Sequence, residues 1–248
     1  SQDLHSGRYG GIVSNPLHVL STLIGGLHDA QGRITAPGFY DGVAEPTQAE
    51  RDEIAAIPYD EVDAFTAIGA QPYGEAGYST LERLWIRPTL DVNGMWGGYT
   101  GAGSKTVIPN EASAKITMRL VPGQDPQSAK QTVIDHLKSQ LPPGVSLEVY
   151  GDRGQSGAYA VPLDHPLLGA AALALENTTR QTPLKVRIGA SLPLTEIVLR
   201  ILGLDTVMFS FAVSDENFHA PNEFFRLSSI TDGLSAWVEI IRQIAKID

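Results

Sequence analysis

The stretch that decides the predicted fold reads EASAKITMRLV and runs from Glu111 to Val121. Apolar residues alternate in it with polar ones; the apolar set is Ala112, Ala114, Ile116, Met118 and Leu120, and the polar set is Ser113, Lys115, Thr117 and Arg119. A period of two predicts a half-buried antiparallel strand. Arg119 should therefore lie on the polar face, where its guanidinium could bind a carboxylate. From the residues alone, the default is an ordinary exposed strand arginine.

The elements around this strand predict a split βαβ unit. A helix should begin at Asp125-Pro126 and end at Pro142, and a strand should follow at Val145 to Val149. Upstream, Asn15-Pro16 opens another helix that ends near Gly32, and strand-like sequence starts at Thr89. This order is typical of a ferredoxin-like α+β domain.

Two features complete the predicted first domain, residues 1–155. Residues 33–87 form a long insertion with local helices, one of them capped by Thr47. Glycines between Gly97 and Gly103 mark a flexible connection, because the nucleotide-binding ending Gly-Lys-Ser/Thr is missing. A boundary is predicted at the polar, glycine-rich segment 151–157.

The second predicted domain, residues 156–248, has an α/β pattern. Helices are expected from His165 to Thr179, from Pro193 to Leu202 and from Ile230 to Ile244, with strands at 186–188 and 205–213. Two strands cannot cover a whole sheet, so this segment should pack against a further layer.

A polar loop, SDENFHAPNE from Ser214 to Glu223, follows the second of these strands. Ligands usually bind at the carboxyl ends of strands in open α/β sheets. His219 can offer an imidazole nitrogen to a metal there, and Pro221 stiffens the loop. One histidine supplies only one of several ligands, so a solvated loop with a surface histidine is the alternative.

Composition excludes some classes of partner. The chain has 248 residues, 42% of them hydrophobic, and a formal net charge of −10 from 18 basic and 28 acidic residues. This balance argues against nucleic-acid and anionic-membrane partners. No cysteine is present, which excludes disulfides and thiolate chemistry, and a cytoplasmic location is the simplest interpretation. The sequence contains no apolar run of membrane-spanning length.

Four ordered motifs give the chain a resemblance to one family. They are DLHSG at Asp3 to Gly7 with Gly10-Gly11, KTVIP at Lys105 to Pro109 with MRLVP at Met118 to Pro122, GASLP at Gly189 to Pro193, and the loop around His219. Together they resemble the di-zinc metallopeptidases that include carnosinase, succinyl-diaminopimelate desuccinylase, glutamate carboxypeptidase and aminoacylase, in particular the carnosinase-like dipeptidase branch. The resemblance implies a lid or dimerisation domain followed by the end of a catalytic domain.

The resemblance also implies roles for individual residues. His219 matches a metal ligand, and His5 matches the lid histidine that stabilises the oxyanion in the neighbouring subunit's site. Thr106 and Arg119 match substrate-binding positions, as do Gly189 and Ser191; Ser191 could equally cap a helix before Pro193. The implied activity is hydrolysis of amide bonds in dipeptides or N-acyl amino acids by a homodimer with two zinc ions, manganese or cobalt being alternatives.

Several positions depart from that pattern. The other metal ligands and the catalytic glutamate of the family have no match here, so the resemblance implies a fragment that is inactive alone. Asp215 and Glu216 match no ligand position and are interpreted as polar loop residues. His18, His28, His136 and His165 are interpreted as structural or surface residues.

Two other classes of function are alternatives to a metallopeptidase. A non-catalytic lid or dimerisation module is the first alternative. A serine hydrolase built on Ser191 fits poorly, because the nucleophile elbow needs glycine where Pro193 stands.

Overall fold

The computed structural model describes residues 2–151, 156–188, 192–217 and 220–247. The chain divides into two compact units. Unit 1 comprises Ser1–Tyr159 with Ile188–Pro193, and unit 2 comprises Ala160–Arg187 with Leu194–Asp248. Among the described residues, no helix is both long enough and apolar enough to cross a membrane.

Unit 1 is a mixed α/β structure with small antiparallel sheets, as the sequence predicts. Its helices are α1 (Ser6–Tyr9), α2 (Pro16–Gly25), α3 (Gln48–Ala55), α4 (Glu61–Ile68), α5 (Thr80–Ile86) and α6 (Pro126–Ser139). Its strands are β1 (Leu4–His5), β2 (Thr89–Gly97), β3 (Val107–Ile108) and β4 (Ala112–Arg119). β1 pairs antiparallel with β3, and β2 pairs antiparallel with β4.

The β2–β4 sheet carries the core of unit 1 on its apolar face. Leu90 of β2 is buried with residues of α2 and α6, namely Leu23, Ala129, Val133 and Leu137, and with Leu27, Ile34, Ala36 and Phe39. Ile116 and Met118 pack against this cluster, whereas Lys115, Thr117 and Arg119 are exposed. The predicted alternation of β4 is confirmed. The register of β2 shifts between Val92 and Gly94, at the Asn93-Gly94 pair.

Local capping chemistry fixes several of the predicted helices. Asn15 accepts a hydrogen bond from the amide of Leu17, with Pro16 in the first turn of α2. Thr47 and Glu50 form a complete capping box at α3. Asp125 accepts from the amide of Ser128 at α6. α2 ends at Gly25 instead of near Gly32, because the Gly25-Gly26 pair breaks the helix and His28 then bridges to Ile34.

The insertion is helical, as predicted, and a buried ion cluster anchors it. We call Arg33, Glu75, Tyr78 and Arg87 the insertion cluster. Arg87 donates from Nε to Glu75 Oε2 at 2.8 Å and from Nη2 to Glu75 Oε1 at 2.9 Å, and Arg33 Nη1 lies 3.1 Å from the same Oε1. The Arg87 guanidinium stands 4.3 Å from the centre of the Tyr78 ring. The cluster therefore joins the turn at residue 33 to the end of the insertion.

Unit 2 contains helices α7 (Pro166–Thr179), α8 (Pro193–Leu202) and α9 (Leu227–Ile244), with a 3-10 turn at Ser214–Glu216. α7 packs on α9 through Ala171, Ala174 and Ile240. Phe209 stacks edge-on against Trp237, with ring centroids 5.2 Å apart.

Three predicted strands are wrong: residues 145–149, 186–188 and 205–213 form no strand in the structure. Their side-chain patterns are apolar, and Leu147, Val207 and Phe209 do pack against core clusters. A strand also needs a hydrogen-bonded neighbour, and the described residues supply none beside these segments. The apolar patterns of these segments thus indicated burial of their side chains but not the pairing of their backbones.

Candidate functional site

His5 and Thr106 are brought together by the β1–β3 pair. His5 lies opposite Val107 in the register, and the amide of Ser6 donates to the carbonyl oxygen of Thr106 at 2.9 Å. Asp3 closes the other end of the pair, because its Oδ1 accepts from the amide of Asn110 at 3.0 Å. Two residues about one hundred positions apart in the sequence thus share one edge of unit 1. The sequence pattern alone gave no sign that their strands pair.

The imidazole of His5 is exposed but held in one orientation. Its Nδ1 accepts a hydrogen bond from the amide of Gly7 at 3.0 Å and so caps the short helix α1. An accepting Nδ1 carries no proton, so the neutral ring must carry its proton on Nε2. His5 therefore has an Nε2–H group available to donate to another molecule.

Gly7 is required by this arrangement. A Cβ at residue 7 would stand 2.9 Å from Cε1 and 3.2 Å from Nδ1 of His5. Such contacts are too close, so any larger residue would move the ring or weaken its hydrogen bond. Gly7 therefore leaves room for the His5 ring. The sequence indicated Gly7 only as part of a motif.

The glycine-rich loop before Thr106 is organised by Tyr99. The Tyr99 hydroxyl donates to the carbonyl oxygen of Ala102 at 2.8 Å, and Lys105 Nζ lies 4.6 Å from the centre of the Tyr99 ring. A Cβ at Gly101 would stand 2.5 Å from the Tyr99 hydroxyl oxygen and 2.7 Å from Cζ of its ring. The loop is therefore folded around an aromatic ring, which its glycine content did not reveal.

Arg119 lies at the end of β4, opposite Thr89, and is exposed as predicted. It belongs to the β2–β4 sheet, whereas His5 and Thr106 belong to the β1–β3 pair. Within the described parts of the chain, no carboxylate forms an ion pair with Arg119. Its guanidinium remains available to a ligand.

The three other predicted site residues, Gly189, Ser191 and His219, lie outside the described residues. The flanks of the loop that contains His219 are described. Glu216 is only 1% exposed and its carboxylate bonds to both sides of this loop. Asp215, in contrast, is exposed and pairs with Arg226 at 2.5 Å. Glu216 is a polar loop residue, as interpreted from the sequence, but it is buried, which the sequence did not indicate.

Two of the histidines interpreted as structural, His136 and His165, have hydrogen-bond partners within the fold. His136 Nε2 lies 3.3 Å from the Thr35 hydroxyl. His165 accepts from the amide of Leu167 at the start of α7 and lies 3.2 Å from Asp205.

A metal centre cannot be assembled from the residues that the structure describes. Among them, no three His, Asp or Glu side chains are grouped so as to hold a metal ion. The described donor set therefore does not fit a two-metal site, and we assign no chemical step to a metal.

Comparisons with known proteins identify the family of the chain. A family model described as a peptidase dimerisation domain matches residues 1–145. The chain is 30% identical to the Cys-Gly metallodipeptidase of Candida albicans over 93% of this chain and 48% of that protein. It is 26% identical to the human Beta-Ala-His dipeptidase over 99% of this chain and 49% of that protein. The chain thus spans about half the length of the curated relatives it matches.

Solved structures show the same relationship. An M20 family metallo-carboxypeptidase from Sulfolobus solfataricus superposes with a TM-score of 0.84 at 29% identity, over 98% of this chain and 55% of that one. Human carnosine dipeptidase 1 gives a TM-score of 0.76 at 26% identity, over 99% and 52%. The mixed α/β fold of the chain is shared with these neighbours. The chain belongs to the M20 peptidase dimerisation-domain family and is homologous to carnosinase-like dipeptidases.

Proposed function

We propose that this chain is part of a metal-dependent hydrolase that cleaves the amide bond of dipeptides or N-acyl amino acids. Relatives that match almost the whole chain are named metallodipeptidases. The observation that carries the proposal is the placement of His5, whose exposed ring accepts from the Gly7 amide at Nδ1 and whose neighbour in the chain, Ser6, bonds to the backbone of Thr106.

The chemistry follows from where charge develops. Attack on an amide carbonyl places negative charge on its oxygen, and a fixed N–H donor aimed at that oxygen lowers the barrier. The Nε2–H of His5 would supply such a donor. The Thr106 hydroxyl would bind the substrate nearby, together with Gly189 and Ser191, and Arg119 would bind a terminal carboxylate through its two-pronged guanidinium.

The metal remains a separate part of the proposal. We propose that His219 contributes one ligand to a centre of two zinc ions, with manganese or cobalt as alternatives. Support comes from the names of the relatives and from the position of His219 in a loop whose two ends are tied together. A cytoplasmic location likewise remains a prediction from the sequence.

A homodimer formed through the first domain, residues 1–155, is the proposed assembly, with His5 acting in the site of the neighbouring subunit. The matching dimerisation-domain family supports this assembly. Among the described residues, β2 pairs with β4 alone, so the outer edge of the sheet has backbone groups that another strand could pair with.

A purely structural lid module is the second candidate, favoured by the same dimerisation-domain match. The oligomeric state of the chain by itself does not distinguish the two candidates. Both candidates predict a dimer by light scattering, but only the enzyme predicts peptide turnover in the full-length protein.

The decisive assay measures hydrolysis of dipeptides by the full-length protein with and without a chelator. We expect activity that the chelator removes and added zinc restores, whereas the described chain alone should be inactive. His219→Ala should abolish turnover and lower the metal content, with His136→Ala as a matched control that changes neither. Full activity in the His219→Ala protein would overturn the assignment of that residue.

A further inference from the structure

The chain that follows β2, residues 98–105, is folded around the ring of Tyr99; we call these residues the connecting segment. The Tyr99 hydroxyl donates to the carbonyl oxygen of Ala102 at 2.8 Å. The backbone of Gly101 lies against the same ring, because a Cβ there would stand 2.7 Å from Cζ. Lys105 Nζ lies 4.6 Å from the ring centre, within the range of a cation–π contact. One side chain thus touches the middle and the end of the segment.

The start of the connecting segment is fixed by close packing instead. A Cβ at Gly97 would stand 3.0 Å from the side chain of Leu17 in α2 and 3.1 Å from Ala112 in β4. Gly98 has a φ of 67° and also lies against Leu17, so glycine suits both its conformation and the space available. The chain therefore leaves β2 at a defined position.

The middle of the connecting segment has little else to order it. Its residues between Tyr99 and Lys105 are glycine, alanine, serine and threonine, whose side chains are small. Glycine also loses more conformational freedom on folding than other residues. The contacts of the Tyr99 ring therefore offset most of the cost of ordering this segment.

The end of the connecting segment leads directly into the β1–β3 pair. Lys105 precedes Thr106, whose carbonyl oxygen accepts from the amide of Ser6 at 2.9 Å, and Val107 lies opposite His5. Each strand of this pair has only two residues, so few bonds set its position. A contact that holds Lys105 therefore also holds the point where β3 meets β1.

We propose that Tyr99 is a positioning residue that holds the connecting segment so that Thr106 is placed beside the strand of His5. The inference rests on the proposed function in one respect, the role of Thr106 in substrate binding. Tyr99 acts through the backbone of Ala102 and the side chain of Lys105 and is not itself a substrate contact.

Two substitutions of Tyr99 separate its contacts. Tyr99→Phe removes the hydroxyl but keeps the ring beside Gly101 and Lys105, whereas Tyr99→Ala removes both. Tyr59→Ala is the matched control, because Tyr59 is 40% exposed and Tyr99 is 41% exposed, and Tyr59 lies in the insertion.

The first measurement is hydrogen exchange of the full-length protein, followed in peptides that cover residues 3–7 and 105–110. Exchange at the Ser6 amide should become at least about 10-fold faster in Tyr99→Ala, change less than about threefold in Tyr99→Phe and stay the same in Tyr59→Ala. Peptides from α2 and α6 should exchange as before. Unchanged exchange at Ser6, or a uniform increase throughout unit 1, would overturn the inference.

The second measurement separates KM from kcat in the hydrolysis of dipeptides by the full-length protein. A displaced Thr106 binds substrate less well, so KM should rise about 10-fold in Tyr99→Ala and stay within about threefold in Tyr99→Phe. A protein that is merely less stable has fewer active molecules, which lowers kcat and leaves KM unchanged.

Thr106→Val, measured in parallel, separates failure of the inference from failure of the proposed function. This substitution removes the hydroxyl and nearly keeps the shape of the side chain. If Thr106→Val raises KM and Tyr99→Ala does not, the inference about Tyr99 is wrong. If neither raises KM, the assignment of Thr106 has failed, and exchange at the Ser6 amide decides the inference about Tyr99.

Discussion

Units 1 and 2 differ in how completely they bury their own apolar residues. In unit 1, nine buried residues from α2 and the turn after it, α6, β2 and the start of the insertion form one cluster, in which Phe39 is 1% exposed. In unit 2, the buried cluster contains only Ala171, Ala174 and Ile240. A stripe along α9 stays exposed, formed by Ile230, Leu234, Trp237, Ile241 and Ile244, with Leu234 at 64%.

This difference indicates which contacts stabilise each unit. Unit 1 has a core of its own. It also buries an ion pair between Glu75 and Arg87, and the desolvation of such a pair is costly unless its hydrogen-bond geometry is good. Unit 2 leaves several large apolar side chains of α9 exposed, as surfaces that contact another layer do. Unit 1 should therefore fold by itself, and unit 2 should depend on further contacts.

The largest expected effect tests the core of unit 1. Phe39→Ala should lower the free energy of unfolding by about 3 to 5 kcal/mol, because a buried ring is replaced by a cavity. Leu234→Ala, in the exposed stripe of α9, should change it by less than about 0.5 kcal/mol. Urea unfolding of the chain measures both values. Equal losses at the two positions would contradict the contrast between the units.

The next effect tests the insertion cluster. Glu75→Gln should cost about 3 kcal/mol, because it leaves the buried Arg87 without its buried carboxylate partner and with only the exposed Glu45 at 3.4 Å. Glu53→Gln, at an exposed position of α3, is the matched control and should have little effect. Thermal unfolding gives the comparison. A neutral Glu75→Gln would mean that the pair adds nothing to the stability of unit 1.

A smaller effect concerns the preorganised histidine of unit 1. Gly7→Ala should lower the turnover of the full-length protein about 10- to 100-fold, because the new Cβ displaces the His5 ring from its hydrogen bond. Metal content should stay unchanged, since His5 is not a proposed ligand. Gly11→Ala is unsuitable as a control because its φ of 82° strains alanine; Gly25→Ala, with open space around it, is suitable.

The smallest effect is a dependence of stability on alkaline pH. Burial, together with the hydrogen bond to Glu45, raises the pKa of Tyr78 to about 12 from its ordinary value near 10. The folded chain therefore keeps this proton where the unfolded chain loses it, so the contribution is complete below pH 10 and is lost as the pH rises towards 12. Unfolding curves between pH 9 and 12 should show this loss, and Tyr78→Phe should remove it; Tyr73→Phe, at an 80% exposed position, should not.

The sequence predicted what depends on neighbours along the chain. The alternation of β4 and the caps at Asn15, Thr47 and Asp125 are all confirmed, since each involves residues two to four apart. The strand predicted at 205–213 was wrong, because pairing depends on a distant segment that the pattern of one strand cannot reveal.

The same limit applies to the site. His5 and Thr106 were matched by motif, but their contact through β1 and β3 joins segments far apart in the sequence. The insertion cluster combines residues 33, 75, 78 and 87, which no local pattern connects. Glu216 looked like any acidic loop residue until its burial was known.

The central claim, that His5 and His219 act in one hydrolytic site built across a homodimer, is tested most directly by mixing two inactive variants of the full-length protein. Subunit exchange between His5→Ala and His219→Ala proteins should restore about a quarter of normal turnover, because half of the dimers are mixed and each has one complete site. Subunits that carry two different affinity tags and are recovered together on either tag confirm that the mixed dimers form. A mixture of confirmed mixed dimers that remains inactive would contradict the account.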